Sequence, residues 1–399
     1  MLRRFVVYSC FVMIFFLTLG YDPVFGGARG VTDGIVKVGL ITDLTGPAAS
    51  TLKDVTEGIR NYFRYVNDQG GVNDRKVKLI AEDDRHTIPM AISSFKKLVF
   101  RDEILSFIGP SSTGASKALL RLVEKRKVPS IHWSMAEALY TPTKRYVFVH
   151  WPKYKNQIKV IFDYIMKDLK AENPRIALVI PDNEMGKVGF KLAKLCAKLY
   201  NLELVDKEII APGALDATSQ VLSLKRAKVD FVISHQIVNP HVALLRDARK
   251  FRLNVPFFGT ISTCNEAAVR MAGESGKNFI GTHSFSAWYD NSPGVQNMRE
   301  ITLKYHPGTE EPMRSRYYTA GWVGAVIMTE AIKRGGKDLN NESLVTAMES
   351  IKELETNGLC GLITFASDKH SAGDYLKLFK ADVKKGELNP ISGWIKPAF

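Results

Sequence analysis

The run Gly109-Pro110-Ser111-Ser112-Thr113-Gly114-Ala115-Ser116 is the stretch whose residue types and spacing come nearest to handling a ligand. Gly109 and Gly114 stand as far apart as the glycines of a phosphate-binding loop. Ala115 replaces the lysine such a loop requires, so the main positive charge is missing. Three small hydroxyl residues remain, Ser111, Ser112 and Thr113, where an expected strand runs into an expected helix. Backbone N–H groups and a helix dipole at such a junction suit a carboxylate or another anion. A plain helix cap would explain one hydroxyl, not three.

Other chemistries lack their residues. The eight histidines contain no HExxH pair, and His235 and His241 are too far apart for one helical face, which argues against zinc. No GxSxG elbow occurs, and the Ser-x-x-Lys matches at Ser50, Ser93 and Ser94 fall at the start of or inside amphipathic helices. Asp83 and Asp84 close a strand beside Arg85, a pairing more than a catalytic arrangement. Neither an enzyme nor a cofactor or metal is expected. Cys10 lies in the N-terminal apolar segment; Cys196, Cys264 and Cys360 match no CxxC pattern and allow at most one disulfide, whose pair stays open. His132 and Trp133 end an internal strand, where Trp133 either walls a ligand or packs on a helix. Trp151 and Tyr154 either line a cleft or pack a hinge.

These residues must be held by a repeating framework. Short β-branched runs at Ile35–Thr42, Lys76–Ala81, Leu105–Gly109, Ser130–Trp133, Arg175–Ile180, Leu204–Ile210, Asp230–Ser234 and Pro256–Gly259 alternate with longer amphipathic stretches. Helices are expected near 51–67, 89–100, 116–125, 155–168, 186–200, 219–228 and 240–251. This is repeated βα, an α/β fold with parallel sheets covered by helices. The series restarts near residue 151, so two lobes are expected, 29–150 plus 284–357 and 151–283 plus 358–399. The tail reads as helices near 315–334 and 341–351 and strands at Leu359–Phe365 and Tyr375–Lys380. Ligands of such sheets bind beyond the carboxyl ends of the strands.

With 399 residues, 45% hydrophobic and 24% charged, the chain is an ordinary globular one, large enough for more than one core. Its formal charge of +14 is spread along the sequence, which disfavours a nucleic-acid partner. Residues 1–28 read as a secretory leader: Arg3 and Arg4, an apolar run from Phe5 to Leu19, and small Gly26, Gly27 and Ala28. Removing them takes away Arg3, Arg4 and Asp22 and leaves +13. The apolar run is too short to span a bilayer, so an exported, soluble mature protein is expected.

Several stretches resemble the type I periplasmic binding proteins of branched-chain amino-acid type, the solute receptors of ATP-driven importers. They are Ile35–Leu40 running into Thr45-Gly46-Pro47, Gly58 with Val66-Asn67 and Gly70-Gly71-Val72, and Glu82-Asp83-Asp84. Phe107–Ser112, Val128–Ile131, Asp230–Ile233 and Glu330–Lys333 with Gly335-Gly336 continue the series in the expected order. The resemblance implies two Rossmann-like lobes joined by three crossings, placed near 150–152, 281–285 and 356–358, that close by a hinge on a small ligand. It further implies a periplasmic monomer that docks on a membrane permease whose ATPase is a separate chain. In this family the ligand's polar head is held by the Ser/Thr loop, here Ser111, Ser112 and Thr113, and by the next loop, here Ser134 to Ala138. The sequence departs from the pattern in several places. The small backbone-contact residue matches Ala136, but the usual threonine falls on Ala138. Ile261 stands where amino-acid receptors place an acid for the ammonium, and Met185 and Thr51 stand where tyrosines are common. A buried ammonium without a carboxylate is costly. An apolar or aromatic carboxylate, or a small amide, is therefore expected against an apolar wall of Trp133, Met185 and Ile261. A ligand sensor feeding a signalling or chemotaxis system is the alternative.

Overall fold

A computed structural model describes residues 28–306 and 314–398; Cys10 and the expected leader, apart from Ala28, lie outside them. Parallel strands β1 (Ile35–Thr42), β2 (Lys76–Asp83), β3 (Ser106–Ile108), β4 (Ser130–His132) and β5 (Val147–Pro152) form one sheet. Parallel strands β6 (Ile176–Ile180), β7 (Leu204–Ile209), β8 (Phe231–Ser234), β9 (Phe257–Gly259) and β10 (Phe279–His283) form a second. Then β11 (Ser371–Gly373) returns to the first sheet beside β5, and β12 (Lys377–Asp382) and β13 (Glu387–Pro390) join the second antiparallel. The orders are β11-β5-β4-β3-β1-β2 and β13-β12-β10-β9-β8-β6-β7. Helices α1 (Ala49–Asp68), α2 (Ile88–Phe100) and α3 (Thr113–Arg126) alternate with the first strands. Helices α4 (Tyr154–Asp163), α5 (Glu184–Leu199), α6 (Thr218–Arg226), α7 (Val238–Lys250) and α8 (Glu266–Ala272) alternate with the second set. Three more, α9 (Pro293–Tyr305), α10 (Arg316–Gly335) and α11 (Asn341–Glu349), precede β11. This is the expected two-lobe α/β architecture.

Differences from the sequence reading fall at the lobe junctions. The third crossing, expected at 356–358, lies after Gly373, because Ser371 still pairs with Val149 of β5 whereas Leu378 pairs with Thr282 of β10. The segment read as a strand at Leu359–Phe365 makes only single bridges, Phe285 with Cys360 and Leu354 with Ile363. Its alternating Leu359, Ile363 and Phe365 are buried against the core without a ladder. Helices α8 and α9 were not expected, although each has a start signal: Asn265 accepts from Ala267 N–H at 2.7 Å, and Ser292 precedes Pro293. Cys196, Cys264 and Cys360 are all free thiols.

The first lobe is fastened by α1 against α10 at a distance that only glycine permits. A Cβ on Gly58 would meet Tyr318 O at 2.2 Å, and one on Gly321 would meet Val55 O at 2.0 Å. Each helix thus presents a notch to the other's backbone. Gly321→Val should force the pair apart and lower the unfolding free energy by about 1–3 kcal/mol, measured as a drop in the urea midpoint.

Candidate ligand site between the lobes

The carboxyl ends of β3 and β4 face those of β8 and β9 through a layer of buried polar side chains. Gly109 ends β3 with φ near +112°, and a Cβ there would meet Ile41 O at 2.0 Å, so glycine is required for the turn into α3. Ser112 then caps α3, its hydroxyl accepting from Ala115 N–H at 3.1 Å. Thr113 opens the helix and is buried. Ser134 Oγ donates to Thr113 Oγ1 at 3.1 Å and accepts from Ala136 N–H at 3.3 Å. Thr113 Oγ1 also lies 3.0 Å from the hydroxyl of Tyr154, the first residue of α4. The result is a chain of three hydroxyls, Ser134 to Thr113 to Tyr154, that crosses from one lobe to the other.

The second lobe supports that chain. Tyr154 meets the ring of His235 edge-on at 4.8 Å, and His235 Nδ1 lies 2.9 Å from Thr260 Oγ1. Gly189 of α5 makes room for the imidazole: a Cβ there would stand 2.3 Å from His235 Cδ2. Burial drives the His235 pKa down to about 4 and raises that of Tyr154 to about 12, the latter opposed by its bond to Thr113. Both are therefore neutral at pH 7. If Thr113 donates to the tyrosine oxygen, the Tyr154 proton is free for a ligand oxygen.

Ile261 is buried and held by its backbone, its N–H donating to Gln157 Oε1 at 3.0 Å and its carbonyl accepting from Tyr317 OH at 2.7 Å. Met185 is buried in the first turn of α5, and Trp133 is buried at the end of β4. Thr51 of α1 accepts from Asn265 Nδ2 at 3.3 Å, a second bond between the lobes. Lys117 of α3 pairs with Glu184 of α5 at 2.5 Å, at the exposed margin.

Two of the expected site residues are placed elsewhere. The Ser111 hydroxyl and N–H are both taken by the buried carboxylate of Asp84, the N–H at 2.9 Å, which anchors the loop and leaves no Ser111 donor for a ligand. Ala138 is exposed in the short turn Glu137–Leu139, apart from the buried hydroxyls. His132, which ends β4, is a core residue: fully buried, bonded to Ser130 Oγ at 3.1 Å and kept neutral by burial, with its pKa near 3. Thr113, Ser134, Thr51 and the Ile261 backbone take part in the hydrogen bonds at the junction of the lobes, Ser112 and Ala136 adjoin them in sequence, and Met185 and Trp133 are buried.

Sequence reasoning missed the partners that come from afar. Arg316 of α10 and Glu266 of α8 are both fully buried and span the lobes, with Nε 2.9 Å from Oε1 and the Arg316 backbone N–H donating to Oε2 at 3.1 Å. The guanidinium also donates to Phe285 O, Tyr289 OH and Leu388 O, and lies 3.9 Å from the Phe379 ring. The carboxylate of Glu266 is thus already matched. Trp151, read from the sequence as either lining a cleft or packing a hinge, packs on Phe285 at 5.1 Å and Tyr317 at 5.5 Å, as the hinge reading has it. Among the described residues no cluster of histidine, cysteine or carboxylate side chains has the makings of a metal site.

Comparison with known proteins shows the family. A family model described as periplasmic binding protein matches residues 35–387. A Leu/Ile/Val-binding protein of Rhizobium johnstonii is 23% identical over 356 residues, covering 88% of this chain and 92% of that one. The Leu/Ile/Val-binding protein of Escherichia coli is 23% identical over 259 residues, covering 65% and 69%. Among solved structures, a branched-chain amino-acid transporter protein from Thermus thermophilus with bound valine superposes with a TM-score of 0.85 at 23% identity, covering 92% of this chain and 98% of that one. A fatty-acid transporter substrate-binding protein from Thermomonospora curvata gives 0.83 at 22% identity, covering 93% and 95%. Members of the family are substrate-binding receptors of ABC transporters rather than enzymes. With the match spanning nearly all of the described chain, the chain belongs to the periplasmic binding protein family.

Proposed function

We propose that this protein is an exported receptor that captures a small apolar or aromatic carboxylate, or a related amide, between its lobes and delivers it to the permease of an importer. The observation that carries the reading is the neutral hydroxyl chain Ser134–Thr113–Tyr154 at the N-terminus of α3. It offers donors and a helix dipole to an oxygen-bearing head group. It offers an ammonium no free carboxylate: Glu266 is taken by Arg316, and Ile261 is a buried apolar side chain. Relatives named for branched-chain amino acids and for fatty acids bracket this chemistry, an apolar body with a carboxylate. Residues 1–28 supply the export leader, and the permease and its ATPase are separate chains.

Thermal unfolding with a panel of amino acids, aliphatic and aromatic carboxylates and small amides tests the ligand class. A true ligand at 100 times its dissociation constant stabilises by about 2.7 kcal/mol. Stabilisation is expected from acids or amides. Thr113→Val or Tyr154→Phe should then weaken the best hit by about 10-fold or more, while a pure packing role for these residues would lower stability and leave affinity unchanged. Loss of solute uptake on deleting the gene separates an importer receptor from a sensor.

A further inference from the structure

Helix α5 carries four lysines, Lys187, Lys191, Lys194 and Lys198, spaced four, three and four residues apart, and all four are exposed. That spacing sets them on one stripe of the helix. Its opposite face, with Leu192, Ala193 and Cys196, is buried in the lobe. Beside the stripe, Leu195 and Leu199 are 47% and 52% exposed, unusual for leucines on a well-packed lobe. The ion pairs found on the described residues include none of these four lysines, whereas Lys117 of α3 and Lys159 of α4, helices that pack against α5, are matched by Glu184 and Asp163. Lys194 instead lies 5.7 Å from the Phe190 ring, which Lys207 approaches at 5.0 Å from β7. Because β7 is the last strand of its sheet, a groove of about 960 Å³ lies open between it and α5, with Lys194, Lys198 and Lys207 against Glu203 and Asp206 on its walls.

Unpaired cations in a row repel one another, and exposed leucines beside them gain nothing from water. A surface that is both negatively charged and apolar just beneath relieves both costs. We infer that the outer face of α5 docks on an anionic phospholipid bilayer, the lysines meeting the headgroup phosphates while Leu195 and Leu199 reach toward the acyl boundary. The net charge of +13 left once residues 1–28 are removed favours the same encounter at longer range. No helix of the described residues is long and apolar enough to cross a membrane, so the contact is peripheral and reversible. This goes beyond ligand capture: it holds a receptor near the membrane plane, independently of which solute it carries.

Flotation of the purified protein with phosphatidylglycerol–phosphatidylcholine vesicles, compared with phosphatidylcholine alone, tests the inference. Binding is expected only to the anionic vesicles, and it should fall steeply between about 0.1 M and 1 M salt as the charges are screened. Lysines near an anionic surface contribute about fivefold each, so changing all four to Gln should lower partitioning by about 100-fold or more. Leu195→Ser with Leu199→Ser should lower it several-fold at unchanged charge. A control carrying Lys→Gln at the exposed positions 53, 96, 125 and 337 should keep most of the binding. Because every substitution is on the surface, the unfolding midpoint verifies that each variant is folded. Equal flotation with neutral and anionic vesicles overturns the inference. So does a stripe variant that floats like the parent, or a control that loses as much. Binding to an acidic polypeptide such as polyglutamate but not to vesicles would assign the face to a protein partner and overturn it as well.

Discussion

Between pH 7 and pH 4.5 the unfolding free energy should fall by an amount comparable with the whole stability of a typical domain. His132, His150, His235 and His241 are buried, and burial holds their pKa values down to about 3, 4, 4 and 3. In the unfolded chain they titrate near 6.5, so below that pH the unfolded state binds protons that the folded state refuses. The stability is complete above about pH 7 and is lost as pH falls through 6.5 toward 4. Each histidine contributes a loss of about 2–3 kcal/mol by pH 4.5, together on the order of 10 kcal/mol. The buried carboxylates of Asp54 and Asp84, raised in pKa by burial against their serine hydrogen bonds, work in the opposite sense and return part of this as pH falls. Urea titrations at half-unit pH steps measure the sum. A steep loss below pH 6.5 is expected, cut by about half when His132 and His241 are replaced by Gln, because His150 and His235 remain; a flat profile to pH 5 would mean these side chains are hydrated.

The second large effect concerns the ion pair between the lobes. Removing one member, by Arg316→Met or Glu266→Leu, leaves a charge buried without a partner and should cost about 3–5 kcal/mol. The Arg316 guanidinium also loses its bonds to Phe285 O, Tyr289 OH and Leu388 O, so its removal should be the worse of the two. The double variant should recover much of the loss, because apolar side chains of similar volume replace a buried pair at little net cost. Chemical unfolding of the two single variants and the double variant gives the coupling directly. Additive losses would mean that the two residues act separately.

How far the sequence could be read follows from how local each signal is. Strand β1 was placed to the residue and α2 to within one, because each carries its own hydrophobic period. Strand β10 was missed, since Gly281 and Thr282 break its apolar run; Gly281 is needed because a Cβ there would meet Cys264 Sγ at 2.6 Å. The third crossing was misplaced because Leu359, Ile363 and Phe365 have a strand's alternation but bury themselves without a ladder partner. At the candidate site, Ser112 and Thr113 were legible from the strand-to-helix junction. The diversion of Ser111 to Asp84 was not, because Asp84 lies on another loop. His235, Arg316 and Glu266 gave no local signal at all: their meaning depends on Tyr154, on Gly189 and on each other, all brought together only by the crossings between lobes.

The central claim is that the space between the lobes receives a carboxylate or amide with an apolar body and has no place for an ammonium. Leucine and 4-methylpentanoate differ only in that group. Titration calorimetry of the two ligands against the purified protein is the most direct test. 4-Methylpentanoate is expected to bind at least about tenfold more tightly, since no unpaired carboxylate in the site offsets the desolvation of a charged amine. Tighter binding of leucine would contradict it.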